Sequence, residues 1–186
     1  RGRAMIRRVE QHPGPLANRA VKIQKELPSF WLSEEDNIIL CGKIDWLEYL
    51  PESDSVHIVD FKTGKQREDE QSLQLPIYHL LVHHCQQRKV TKASYWYLEE
   101  QDELTEKALP SLDDATKQIM DIALRMKVAR QVGQLSCPKQ GCLECAPYEM
   151  IVEGKAIHVG TDEFGVNVYI LPQTEAKKEE KESIIL

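Results

Sequence analysis

The chain alternates short apolar runs with stretches of helical periodicity. Residues 37–47 (Asn-Ile-Ile-Leu-Cys-Gly-Lys-Ile-Asp-Trp-Leu) read as one strand, and residues 56–62 (Val-His-Ile-Val-Asp-Phe-Lys) as a second. The polar segment 51–55 between them predicts a hairpin. Residues 72–88 place Leu73, Ile77, Leu80, Leu81 and His84 at helical spacing, with Pro76 tolerable only near the helix start. Residues 93–98 are aromatic and strand-like, and residues 112–132 carry Ile119, Ile122, Ala123, Met126 and Ala129 on one helix face. A hairpin turning near residues 162–165 is expected over 156–171. Before all of these, His12-Pro-Gly-Pro15 makes a loop, and a short helix is expected over 17–27 with Pro28 as its stop. Residues 174–183 read as a frayed end or a solvated helix.

Composition narrows the class. A chain of 186 residues with 41% hydrophobic and 29% charged residues can bury one domain and a small appendage. No apolar run is long enough for a membrane span, and no secretory signal is visible, so an intracellular, cytoplasmic setting is expected. The first residue is Arg1 rather than Met, which leads us to expect a fragment or a processed chain. The net charge of −6 argues against indiscriminate nucleic-acid coating but not against a site with local positive charge. Cysteines 41, 85, 137, 142 and 145 do not form a secreted disulfide framework. Three of them lie within nine residues, which points to metal in a reducing compartment.

The candidate chemistry lies at Gly42-Lys-Ile-Asp45, Val59-Asp60-Phe-Lys62-Thr-Gly64 and Gln74-Leu-Pro-Ile-Tyr78. Paired as a hairpin, the two strands would bring the Asp45 and Asp60 carboxylates together. Their repulsion would be relieved by Mg²⁺ or Mn²⁺. Lys62 follows Asp60 by two, so it shares its face. It would orient or activate an attacking water and offset charge on a phosphate. Gln74 and Tyr78 share a helix face that can look down on the carboxylates. Taken singly, each has a plainer reading: Asp45 ends a strand, Asp-x-Lys occurs by chance, and Tyr78 edges a core. The combination is much rarer.

At these residues the sequence resembles the PD-(D/E)XK nuclease superfamily, and within it the RecB-like branch that includes CRISPR-associated exonucleases. The resemblance implies an α/β, restriction-endonuclease-like fold: a mixed central sheet flanked by helices, followed by a C-terminal cysteine-bearing segment and hairpin. It implies that Asp45 and Asp60 bind metal, that Lys62 is catalytic, and that Gln74 and Tyr78 border the site. An α-β-β-β-α-β core with an early acidic or histidine-bearing helix is also implied. Glu10 and His12 are the nearest candidates for that group, and the early helix is expected to be missing. The expected division is an N-terminal segment 1–36, a nuclease core 37–135, a cysteine segment and hairpin 136–172, and a charged tail 173–186.

Cys137-x4-Cys142-x2-Cys145 suits Zn²⁺ or an iron–sulfur cluster, with His158 a conceivable fourth ligand for zinc. The resemblance also implies a cluster, although the early cysteine is lacking. Three reduced surface thiols are the plainer alternative. Cys41 and Cys85 read as small buried hydrophobes. His79 and His83 read as a solvated helix face, and His57 as an ordinary outward residue.

Three functions stay open. The first is a metal-dependent deoxyribonuclease, exonuclease-like on single strands or ends, that works with a helicase or other repair protein. The second is a DNA- or protein-binding module that keeps the nuclease fold without turnover. The third is a zinc-stapled interaction domain.

Overall fold

A computed structural model describes residues 1–64, 67–133, 137 and 141–172. The charged tail of the sequence reading lies outside the described residues. The chain forms two compact units, residues 1–131 and 132–186.

In the first unit, α1 (Gly2–Gln11) is followed by a 3-10 turn, Gly14–Ala17. Strands β1 (Ser29–Ser33) and β2 (Ile38–Cys41) pair antiparallel as a two-stranded sheet. Strands β3 (Trp46–Leu50), β4 (Ser55–Lys62), β5 (Val90–Tyr97) and β6 (Thr105–Lys107) form the main sheet in that order. β3–β4 is the expected antiparallel hairpin, whereas β4 and β5 run parallel across α2 (Gln74–Cys85). β6 closes the edge antiparallel to β5. The long helix α3 (Leu112–Val132) follows.

The sheet is therefore mixed and helix-flanked, a restriction-endonuclease-like α/β arrangement. Because its centre is buried on both faces, β4 reads as a continuous apolar run rather than a clean alternation. One face carries Val56, Ile58, Ala93, Tyr95 and Tyr97 against Leu75 and Val82 of α2. Trp96 points to the other face and is fully buried, and a Cβ on Gly14 would lie 3.7 Å from its ring. α2 is also gripped from its outer side, where Leu80 packs with Ala115 and Ile119 of α3 and with Phe30 and Leu40 of the small sheet.

Several expectations are corrected. Residues 37–47 are two strands in different sheets, because the chain breaks at 42–45. A Cβ on Gly42 would lie 3.0 Å from Leu81 Cδ1, so glycine lets the backbone press against α2 there. Beyond Ala17, which closes the 3-10 turn, the segment 17–27 expected to be helical is not: Ala20 bridges to Glu48, and Val21 N–H donates to the Leu47 carbonyl at 2.8 Å, which adds it to the edge of β3. A helix does open the chain, at 2–11, where only a basic run was read. Its Met5 is buried, and Arg8 reaches the Leu98 carbonyl and Asp102. Cys41 is exposed, on the outward side of a short two-stranded sheet. Met126 of α3 is exposed as well, because only the first turns of that helix meet the core.

The second unit holds α4 (Ala146–Val152) and the antiparallel hairpin β7 (Ile157–Thr161) and β8 (Asn167–Ile170). The Asp162 carboxylate accepts the Phe164 and Val166 N–H groups and so shapes the turn where it was expected. None of the described residues of this unit is fully buried. No helix among the described residues is long and apolar enough to cross a membrane.

Candidate active site

The site is built on the hairpin and the start of α2. Asp60 and Lys62 alternate onto the α2 face near the end of β4. Asp45 lies in the connector just before β3, and its Oδ2 accepts the Phe61 N–H at 2.9 Å, which fixes it beside Asp60. Gln74 is the first residue of α2 and Tyr78 sits one turn on. All five residues singled out in the sequence thus fall in one neighbourhood.

Gln74 ties that neighbourhood together. Its Nε2 donates to Asp60 Oδ1 at 2.8 Å and to the Tyr78 hydroxyl at 3.1 Å, while its Oε1 accepts from Lys62. Lys62 Nζ also lies 3.0 Å from Asp60 Oδ2 and 3.0 Å from Glu68 Oε2. The ammonium is held further by the Tyr95 ring, 5.0 Å from its centroid. Glu68 is in turn fixed by the Ser72 hydroxyl at 2.7 Å, and its backbone N–H by Tyr97 at 3.2 Å.

The electrostatics follow from burial. Asp60 is only 2% exposed, and burial raises its carboxyl above the usual range against the attraction of Lys62; Asp45 and Glu68 push the same way. Burial lowers the Lys62 pKa, but its contacts with Asp60 and Glu68 outweigh this and raise it overall, so Lys62 is an ammonium at neutral pH. Glu68 is pulled down, first by Ser72 and then by Lys62. Tyr78 is raised by burial and stays a neutral phenol.

A hard divalent cation fits this donor set. Asp60 Oδ2 is sealed from solvent and has the Lys62 ammonium, 3.0 Å away, as its ion-pair partner, with no further hydrogen-bond donor on it. Asp45 is exposed and keeps Oδ1 unbonded among the described residues. Two carboxylates with free oxygens at a sheet end are a donor set of the kind that hard divalent cations favour.

Neither N-terminal candidate takes part in these bonds: Glu10 is exposed, and His12 faces Asp102 at 3.8 Å. Sequence reasoning missed Glu68 and Tyr95. Glu68 lies in a loop without periodicity, and Tyr95 reads as one aromatic among three. It also misjudged His57. That residue alternates away from Val56 and Ile58 as expected, but the other face is covered too. His57 Nδ1 meets Glu48 Oε2 at 2.7 Å and Nε2 meets Ser94 Oγ at 2.8 Å, all three being buried. His79 is likewise buried rather than solvated, its pKa lowered by that burial, and His84 stacks on Phe30 at 3.9 Å.

In the second unit, one sulfur each from Cys137, Cys142 and Cys145 lies within 4.8 Å of the others. Hydrogen bonding with Cys142, then with Cys137, pushes the Cys145 thiol up to about 12. Three sulfurs so close resist ionising together unless a cation neutralises them, and soft thiolates suit zinc or iron. His158 is not in the group; its ring packs on Tyr169 at 5.2 Å.

Comparison with known families gives one match: the sequence profile of the PD-(D/E)XK nuclease superfamily aligns with residues 2–149. No curated protein and no solved structure matches the chain.

Proposed function

Given that the chain belongs to the PD-(D/E)XK nuclease superfamily, we propose that it is a metal-dependent deoxyribonuclease of RecB-like type, acting on single strands or ends such as a helicase or other repair partner would expose. Asp45 and Asp60 hold Mg²⁺ or Mn²⁺, and that ion supplies Lewis-acid polarisation of the scissile phosphoryl group and neutralisation of its charge. Because Lys62 is protonated, it is a donor rather than a base: it hydrogen-bonds the attacking water or a phosphoryl oxygen and stabilises the charge that grows there. Gln74 fixes the Asp60 rotamer and the Lys62 direction at once. Tyr78, a neutral donor, is placed to hold a phosphate oxygen. Water adds to phosphorus and gives up a proton to solvent, the ester P–O bond breaks, and the leaving oxygen takes a proton from solvent.

The observation that carries this reading is the buried Asp60 Oδ2 with no further donor on it, next to a protonated lysine and a second carboxylate. Cleavage of end-labelled single-stranded DNA with Mn²⁺ tests it. The wild-type chain should cut, and Asp60→Ala and Lys62→Ala should each lose at least about 100-fold while remaining folded. Equal inertness of all three, all folded, would leave the non-catalytic binding module.

The cysteine group is a structural metal site for zinc or an iron–sulfur cluster in the same proposal. It is supported by the 4.8 Å sulfur cluster in a unit whose described residues bury no core. Elemental analysis and the visible spectrum distinguish the two metals.

A further inference from the structure

The first unit contains a groove of about 410 Å³ whose lining includes Asp45, Trp46 and the lysines Lys22, Lys25 and Lys43. Its walls are fixed at both ends. Val21 N–H donates to the Leu47 carbonyl at 2.8 Å, and Gly42 N–H donates to the Pro28 carbonyl at 3.1 Å. The groove is therefore preformed rather than assembled on binding.

Its charge is unlike that of the chain. The protein carries a net charge of −6, yet three lysines line this one groove. Elsewhere Arg1, Arg8, Arg67, Arg88, Lys127 and Lys155 each have a carboxylate partner. Lys22, Lys25 and Lys43 form no ion pair among the described residues, as is also true of Arg3, Arg7 and Arg19, and what sets these three apart is that they line one groove, where they outnumber its carboxylates Glu26 and Asp45; Lys25 reaches the Ser29 carbonyl at 3.4 Å. All three lysines are exposed. Cations left unpaired along a preformed channel, with apolar walls and an indole beside them, match an unpaired polynucleotide: phosphates along the ammoniums and bases against the apolar wall.

We propose that this groove is the track for a single-stranded polynucleotide, delivering its backbone to Asp45. The proposal rests on the nuclease reading for its direction but not for its measurement, since binding is read without turnover. The experiment is fluorescence anisotropy of a labelled oligothymidylate with the full chain in Ca²⁺, titrated over salt. Each phosphate neutralised on a single strand contributes about −0.7 to the slope of log K against log salt. The combined Lys22→Gln, Lys25→Gln, Lys43→Gln variant should therefore bind with a slope shallower by about 2, and each single substitution by about 0.7. Melting curves matching the wild type certify the fold. A wild-type slope in the folded triple variant overturns the proposal. So does a duplex of the same length that binds more tightly than the single strand with the same lysine dependence. Cleavage of the same oligonucleotide in Mn²⁺ separates the two ideas. A chain that cuts with an unchanged slope keeps the nuclease and loses the groove, and one that binds through the lysines without cutting does the reverse.

Discussion

Asp60 is the residue on which the site turns. It is buried at the end of a strand, held by Gln74 through one oxygen, and faces the Lys62 ammonium through the other, which no further donor caps. Because its folded carboxyl titrates above the usual range, protonation competes with any cation, and ionising it in the folded chain costs stability as pH rises. A bound divalent ion reverses that cost. Thermal stabilisation by Mn²⁺ should therefore be large at neutral pH and shrink as pH falls through the folded Asp60 value; a pH-independent shift in melting temperature would contradict the assignment. At this scale the sequence was most informative where spacing is local. Asp60 to Lys62 is one strand repeat and Gln74 to Tyr78 is one helical turn, so their shared faces follow from periodicity. Glu68 and the Glu48–His57–Ser94 chain were illegible because they depend on a loop path and on a covered second face.

Elements carry these residues, and α2 bears most of the load. It packs on the sheet through Leu75 and Val82 and on α3 and the small sheet through Leu80. Gly42 meets this helix at the fully buried Leu81. Gly42→Val would force methyl groups into that contact, costing about 2 kcal/mol and displacing the connector that ends in Asp45. Urea unfolding measures the first effect. A loss of Mn²⁺ affinity larger than the loss of stability implies measures the second. The hairpin, α2, β5 and α3 were all readable from period and length. The break after Cys41 and the added edge segment at 20–21 were not, because both arise from contacts with distant partners, Leu81 and β3.

Over the whole molecule, two units face different problems. Residues 1–131 enclose two apolar clusters. The described part of 132–186 encloses none, and Leu143, Val152 and Phe164 stand largely exposed. A metal chelator should accelerate amide exchange in α4 and the β7–β8 hairpin while leaving β4 and β5 protected; exchange mass spectrometry reads both regions at once. The parallel pairing of β4 with β5 has a kinetic consequence. β3 and β4 can zip through a tight turn, whereas β5 must wait for α2 to cross the sheet, a far longer closure. During refolding, pulse labelling should thus find amides of 46–59 guarded before those of 90–97. In that interval the two acids already stand side by side while the glutamine that restrains Asp60 has yet to arrive.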